Sequence, residues 1–259
     1  METIEQLLKH AEAQHKTIEL QTLFAKNMAF FEHAMPNIYD RFRDYHPTEI
    51  KLTITEGGWL DLVNTQLDGK LVYGREPKEF AQETVESYIK NPLWQKLNPG
   101  TTKVLQIELE SHTKNMNALI DYFNEKNNRL LAAPLEQEVN FMFMLGVGFG
   151  YQITELLKRT DIKHMVIAET NPDIFYASLH TLDWELLNQQ FDKPNKTLNI
   201  ILDQTPEQFA SLLDFYINHI GVFNAAKPYV YNHLSSSELT STATSFIQNI
   251  PIIVGSLGY

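Results

Sequence analysis

The sequence predicts an α/β chain in two parts: N-terminal helices with a small antiparallel sheet, then a mostly parallel sheet with helices on both faces. Three observations carry this. Apolar residues in the first forty-five positions recur at helical spacing, the period switches to two between Glu49 and Tyr73, and beyond about residue 100 short aliphatic runs alternate with amphipathic helices. With 43% hydrophobic and 20% charged residues the chain can bury a large core, and its 259 residues allow one large domain or two modest ones.

Three helices are expected at the start, carried by Ile4, Leu7, Leu8 and Ala11, by Leu20, Leu23, Phe24, Met28 and Phe31, and by Met35, Ile38, Tyr39 and Phe42. Pro36 opens or bends the third, because proline has no N–H and is tolerated in a first turn or at a kink. The alternation of Ile50, Leu52 and Ile54, then Trp59, Leu60 and Leu62, then Leu71 and Tyr73 predicts the antiparallel sheet. Its turns fall at Gly57-Gly58 and Asp68-Gly69, pairs that supply the positive φ of tight hairpins. A helix bearing Phe80, Val85, Tyr88 and Ile89 follows Pro77 and ends before Asn91-Pro92, since a residue preceding proline is pushed out of the helical region. Residues 91–102 have the composition of a linker, so the first part is assigned residues 1–98 and the second 99–259.

In the second part the expected strands are residues 103–109, 139–145, 164–168, 198–202, 229–231 and 250–254, and Leu119, Ile120, Phe123 and Leu130 mark the helix after the first. Runs this continuous suit a parallel sheet buried on both faces, a Rossmann-like arrangement. Asn171-Pro172, Thr205 with Gln208, and Ser235 with Glu238 have the spacing of helix starts, and Asp183-Trp184 begins another helix. Phe209, Leu212, Leu213, Tyr216 and Ile217 form one apolar stripe.

Several function classes are excluded. With 21 basic against 32 acidic residues the formal charge is −11, which argues against nucleic acid as a partner, since binding it needs a basic face to displace counterions. The absence of cysteine removes disulfides, thiolate metal sites and cysteine nucleophiles, and fits a cytoplasmic protein. The N-terminus METIEQLLKHAEAQHK lacks the apolar core of a secretory signal, so Asn195-Lys196-Thr197 is not expected to be glycosylated, and no apolar run approaches the roughly 20 residues of a membrane span. The nine histidines form no His-x-His or His-Glu-x-x-His, no Gly-x-Ser-x-Gly is present, and His10, His33, His112, His180 and His219 fall in expected helices.

The sharpest feature is the strand Phe141-Met-Phe-Met-Leu running into Gly146-Val-Gly148-Phe-Gly150 and then a helix. Strand, glycines and helix in that order turn backbone N–H groups toward a ligand at the carboxyl edge of a sheet. The third glycine of the dinucleotide fingerprint would fall at position 151, which is Tyr, so NAD and FAD are disfavoured. The spacing G-x-G-x-G resembles the first motif of S-adenosylmethionine-dependent methyltransferases, and the next two strands end in Glu169 and Asp203. Gly146, Gly148, Gly150, Glu169 and Asp203 are therefore the candidate cofactor-binding residues, for S-adenosylmethionine or a nucleotide. The bland alternative stays open: the glycines permit a tight turn and the acids begin loops. No Asn-Pro-Pro-Tyr element for amino methylation is present.

Taken as one stretch, residues 142–184 (MFMLGVGFGYQITELLKRTDIKHMVIAETNPDIFYASLHTLDW) resemble the N-terminal region of the flagellar motility accessory factor family. Asn27-Met-Ala-Phe-Phe, Asp61-Leu-Val-Asn-Thr with Asp68-Gly69-Lys70, and Tyr73-Gly74-Arg75-Glu76-Pro77 carry the same resemblance. It implies a role in flagellin glycosylation, in which full-length members transfer nonulosonic acids from CMP-activated donors to Ser and Thr hydroxyls of flagellin. The sialyltransferase-like central domain of that family follows the region matched, so the resemblance implies a non-catalytic chain here and carries no transferase residue onto it. Flagellin and that catalytic domain are the implied partners. The rival expectation is an S-adenosylmethionine-dependent methyltransferase or other nucleoside-binding protein; a homo-oligomer paired through the amphipathic N-terminal helices is a third.

Overall fold

A computed structural model describes residues 4–92, 134–202, 204–225, 227–234 and 241. The expected strands at 103–109 and 250–254, the helix between Leu119 and Leu130, the cap at Ser235, and most of the linker with the boundary at 98/99 lie outside the described residues. Residues 4–42 make two helices rather than three: α1 (Ile4–Ala34) and α2 (Pro36–Phe42). Nothing between Ala11 and Leu20 breaks a helix, so the first two expected helices are one, and Pro36 sits in the first turn of α2.

Strands β1 (Ile50–Ile54), β2 (Leu60–Asn64) and β3 (Lys70–Leu71) pair antiparallel in that order. Asp68 and Gly69 both have positive φ at the β2–β3 turn, as expected, whereas at the β1–β2 turn Gly58 has positive φ and Gly57 does not. Helix α3 (Pro77–Lys90) ends before Asn91-Pro92. The parallel sheet contains β4 (Glu138–Leu145), β5 (Asp161–Glu169), β6 (Thr197–Leu202) and β7 (Pro228–Asn232), in the order β6-β5-β4-β7. Helices α4 (Tyr151–Leu157), α5 (Pro172–Ser178), α6 (Trp184–Phe191) and α7 (Pro206–Ile220) connect them. Asn171 caps α5, Asp183 caps α6, and Thr205 with Gln208 closes a capping box on α7, each as its spacing predicts. His180 lies in the turn after α5 rather than in a helix.

Two apolar clusters cover the two faces of the parallel sheet. One contains Phe141, Phe143, Leu145, Val166, Phe209, Leu213, Tyr216 and Ile217 under α7. The other joins Met142, Met144, Met165 and Ile167 to Met28 and Phe31 of α1, Phe42 of α2, Leu62 of β2 and Val85 of α3. The N-terminal helices and antiparallel sheet thus share the core of the parallel sheet. Trp184 is fully buried, 5.8 Å from the Phe31 ring and 5.2 Å from that of Phe175, and its indole N–H donates to Ser178 Oγ at 3.2 Å, so it packs in the core.

Buried polar groups lock this junction. Asn27 donates to the carbonyls of Leu179 and Leu182 at 2.8 and 2.7 Å and accepts from Trp184 N–H at 2.9 Å, which satisfies its whole amide. The Asp173 carboxylate accepts from Tyr45 Oη at 2.6 Å and from the N–H groups of Glu49 and Ile50 at 2.8 and 2.9 Å, with Thr48 N–H at 3.2 Å, fastening β1 to α5. Burial pushes its pKa up, but the Tyr45 hydroxyl and these N–H groups outweigh burial and hold it below the usual carboxylate range. Within the first sheet the Asp61 carboxylate accepts from Leu62, Tyr73 and Gly74 N–H at 2.7, 3.0 and 2.9 Å.

Candidate functional site

The order β6-β5-β4-β7 reverses direction between β4 and β7, because the chain moves outward from β4 through β5 and β6 before returning to β7. Ligands of open α/β sheets lie in the crevice at the carboxyl ends of the strands where the order switches. Here that point is flanked by the glycine loop after β4 and by His233 after β7. Gly146, Gly148 and Gly150 all have positive φ, at 82°, 49° and 79°, so the loop uses the freedom that only glycine has. All of residues 141–150 are buried.

The structure brings four of the five sequence-predicted residues together, and Asp203 lies outside the described residues. Glu169 turns inward. Its Oε2 accepts from Val147 N–H at 3.0 Å and its Oε1 from Asn171 N–H at 2.9 Å, so both oxygens hold the chain's own backbone. Burial pushes its pKa up to about 7, against the N–H groups of Asn171, Val147 and Thr170. Gln152 is fully buried and donates to Val147 O at 2.8 Å, tying the start of α4 back onto the loop. Gly150 caps α4 with Leu182 so close that an added Cβ would lie 2.8 Å from it.

Tyr73 reaches the glycine loop. Its ring stacks on buried Phe149 at 5.1 Å, its hydroxyl accepts from Phe149 N–H at 3.1 Å, and the same hydroxyl meets His233 Nε2 at 3.0 Å. A Cβ added to Gly148 would lie 2.3 Å from Tyr73 Oη and 2.7 Å from His233 Cδ2, so glycine is needed there for space as well as for φ. Burial pushes the Tyr73 phenol up and His233 down to about 3, so both are neutral at pH 7. The backbone N–H of Phe149, a group that a Rossmann loop aims at a ligand, is therefore taken by a side chain from the N-terminal part of the chain.

Sequence reasoning found the loop and Glu169 but not Tyr73 or His233, which are 160 positions apart. Tyr73 entered only as a strand position and within the Tyr73–Pro77 motif; nothing local marks it as a residue that crosses to β4. Among the described residues no group of three or more His, Cys, Asp or Glu could hold a metal ion, and no helix is long and apolar enough to cross a membrane.

Fold and site together define a Rossmann-like α/β unit whose glycine loop is hydrogen-bonded by a side chain of its own N-terminal segment. The sequence model of the glycosyltransferase Maf N-terminal domain family matches residues 23–255, and the chain belongs to that family. The structure is similar to that of the Maf glycosyltransferase from Magnetospirillum magneticum AMB-1, with a TM-score of 0.65 and 23% identity over 90% of this chain. That likeness is one of fold, and the chain spans 35% of that protein's length. No curated protein matches the chain.

Proposed function

We propose that this chain is the non-catalytic N-terminal domain of a cytoplasmic Maf-type transferase that glycosylates flagellin. In this reading the transfer of a nonulosonic acid from a CMP-activated donor is performed elsewhere in such a protein, and this domain serves it by engaging flagellin or the catalytic domain. One observation carries the reading: the crevice where a nucleoside would sit holds Tyr73, hydrogen-bonded to the loop N–H of Phe149, while both oxygens of Glu169 accept from backbone. A methyltransferase would need that crevice open and that carboxylate turned toward a ribose.

The test is calorimetry and thermal shift with S-adenosylmethionine, S-adenosylhomocysteine, CMP and a CMP-sugar, followed by binding of purified unsecreted flagellin. A ligand that prefers the native state raises its stability by mass action. The expected result is no stabilisation by any of the four and saturable binding of flagellin. Stabilisation by S-adenosylmethionine that Tyr73→Trp abolishes would establish the methyltransferase reading instead, and stabilisation by CMP would bring the donor nucleotide to this domain.

A further inference from the structure

We propose that Tyr73, Phe149 and His233 form a latch on the glycine loop that is set near neutral pH and released when His233 takes up a proton. The latch goes beyond the role proposed above and stands whether or not flagellin is the partner. It joins three distant parts of the chain: Tyr73 between β3 and α3, Phe149 in the loop after β4, and His233 just past β7. They meet over Gly148, whose missing side chain leaves the space that Tyr73 Oη and His233 Cδ2 take.

Hydrogen-bond capacity sets the direction of each bond. The phenol carries one hydrogen and accepts from Phe149 N–H at 3.1 Å, so its own O–H donates to His233 Nε2 at 3.0 Å. Nε2 is then the acceptor nitrogen of a neutral imidazole, and the ring proton sits on Nδ1, which is buried without a partner. A second proton must enter at Nε2, and it reverses the bond: the imidazolium donates to the phenol oxygen, and the phenol O–H loses its acceptor. The cation so formed stands beside the rings of Tyr73, Phe80 and Tyr231. Among the described residues no carboxylate reaches it. Asp61 is committed to the N–H groups of Leu62, Tyr73 and Gly74, and Glu169 to those of Val147 and Asn171. At the α3 side Arg75 pairs with Glu83 and is drawn by Glu79, Glu76 accepts from Lys78 N–H, and Lys78 lies over the Tyr151 ring. Burial holds the phenols of Tyr73, Tyr151 and Tyr231 protonated, so none supplies a negative charge. A buried charge left unpaired is the costly case, and His233 leaves its place rather than carry one.

Release is confined to side chains. Asp61 pins the backbone N–H groups of Tyr73 and Gly74 at 3.0 and 2.9 Å, and His233 N–H donates to Leu145 O at 3.0 Å, so the backbone stays in place while the rings part. The group set free is Phe149 N–H. Glu169 keeps both of its backbone partners throughout and adds nothing to the pH dependence of this step. The set latch holds His233 neutral down to about 3, whereas the released ring takes up its proton at the ordinary 6.5. The latch is therefore fully set above pH 6.5 and weakens as pH falls below it, with the opening constant rising about tenfold per pH unit.

The experiment is amide hydrogen exchange followed by NMR on the whole chain from about pH 7 to about pH 5, each rate being corrected for the pH dependence of exchange itself. The expected result is that protection of the Phe149 amide falls about tenfold per pH unit below the ordinary histidine range, while the amides of Met144 and Val166 in the parallel sheet keep theirs. His233→Gln does not titrate, and its carbonyl oxygen can still accept from Tyr73, so it flattens the Phe149 profile. Tyr73→Phe lacks the hydroxyl and leaves Phe149 poorly protected at every pH. Circular dichroism checks that each variant folds, and if one does not, the wild-type contrast between Phe149 and Met144 decides alone. Phe149 protection that stays constant in the wild type, or a slope that persists in His233→Gln, overturns the proposal. So does a loss that Met144 and Val166 share in step with Phe149, because acid would then unfold the whole chain rather than release the latch.

Discussion

Replacing Glu169 by glutamine isolates what its carboxylate does. Burial lifts its pKa from the ordinary 4.5 to about 7 in the folded chain. Between those two values the folded chain keeps a proton that the unfolded chain has released, so stability falls as pH rises through this window and levels off above it. The separation is worth about 3 kcal/mol. Glutamine does not titrate, but its NH₂ faces one of the two backbone N–H groups that the carboxyl oxygens accept from, at a cost of about 1–3 kcal/mol. E169Q is therefore less stable than wild type near pH 4.5, and the gap closes or reverses by pH 7.5. His233, pushed down to about 3 from an ordinary 6.5, bends both profiles the other way, with stability lost as pH falls below 6.5, and it cancels in the difference. Urea unfolding followed by circular dichroism at half-unit steps from pH 4.5 to 8 measures that difference directly. A difference that stays constant across the window would show that Glu169 does not titrate as a buried clamp. An E169A variant that costs less than about 1 kcal/mol would show that Val147 and Asn171 do not depend on it.

Asp173→Ala removes the carboxylate that accepts from the buried Ile50 N–H, the part-buried Thr48 and Glu49 N–H groups and the Tyr45 hydroxyl, and a loss of about 2 kcal/mol or more is expected, read as a lower urea midpoint. Because its folded pKa is depressed, the stability it contributes is present above the ordinary aspartate range and disappears as pH falls through the folded value; an acid-unfolding midpoint unchanged in D173N would refute this. Gly148→Ala combines a positive φ with a Cβ 2.3 Å from Tyr73 Oη, whereas Gly58→Ala has a positive φ and open space, so the first should cost at least about 2 kcal/mol and the second about 1. Adding Tyr73→Phe should recover part of the Gly148→Ala loss, and strictly additive costs would show that the two positions do not touch.

Among the described residues the sequence by itself determined the order and type of the elements, apart from the division of α1 into two helices. Period-two alternation located β1 to β3, aliphatic runs located β4 to β7, and cap chemistry at Asn171, Asp183 and Thr205 located three helix starts, because each signal lies within a few bonded neighbours. The glycine loop was legible for the same reason. The structure alone decided what that loop does. Glu169 was read as an acid at a strand end, and whether its oxygens face solvent or the N–H of Val147 depends on how β5 sits against β4. Tyr73, His233, Asp173 and Asn27 act through partners 76 or more positions away, so no local pattern encodes their pairing. Leu212 and Phe215 make the same point at the surface: helical periodicity places them on α7, but only the packing of the sheet decides which face is covered. Local geometry follows from short-range sterics and hydrogen bonding, whereas the use of a crevice follows from which distant side chain reaches it first.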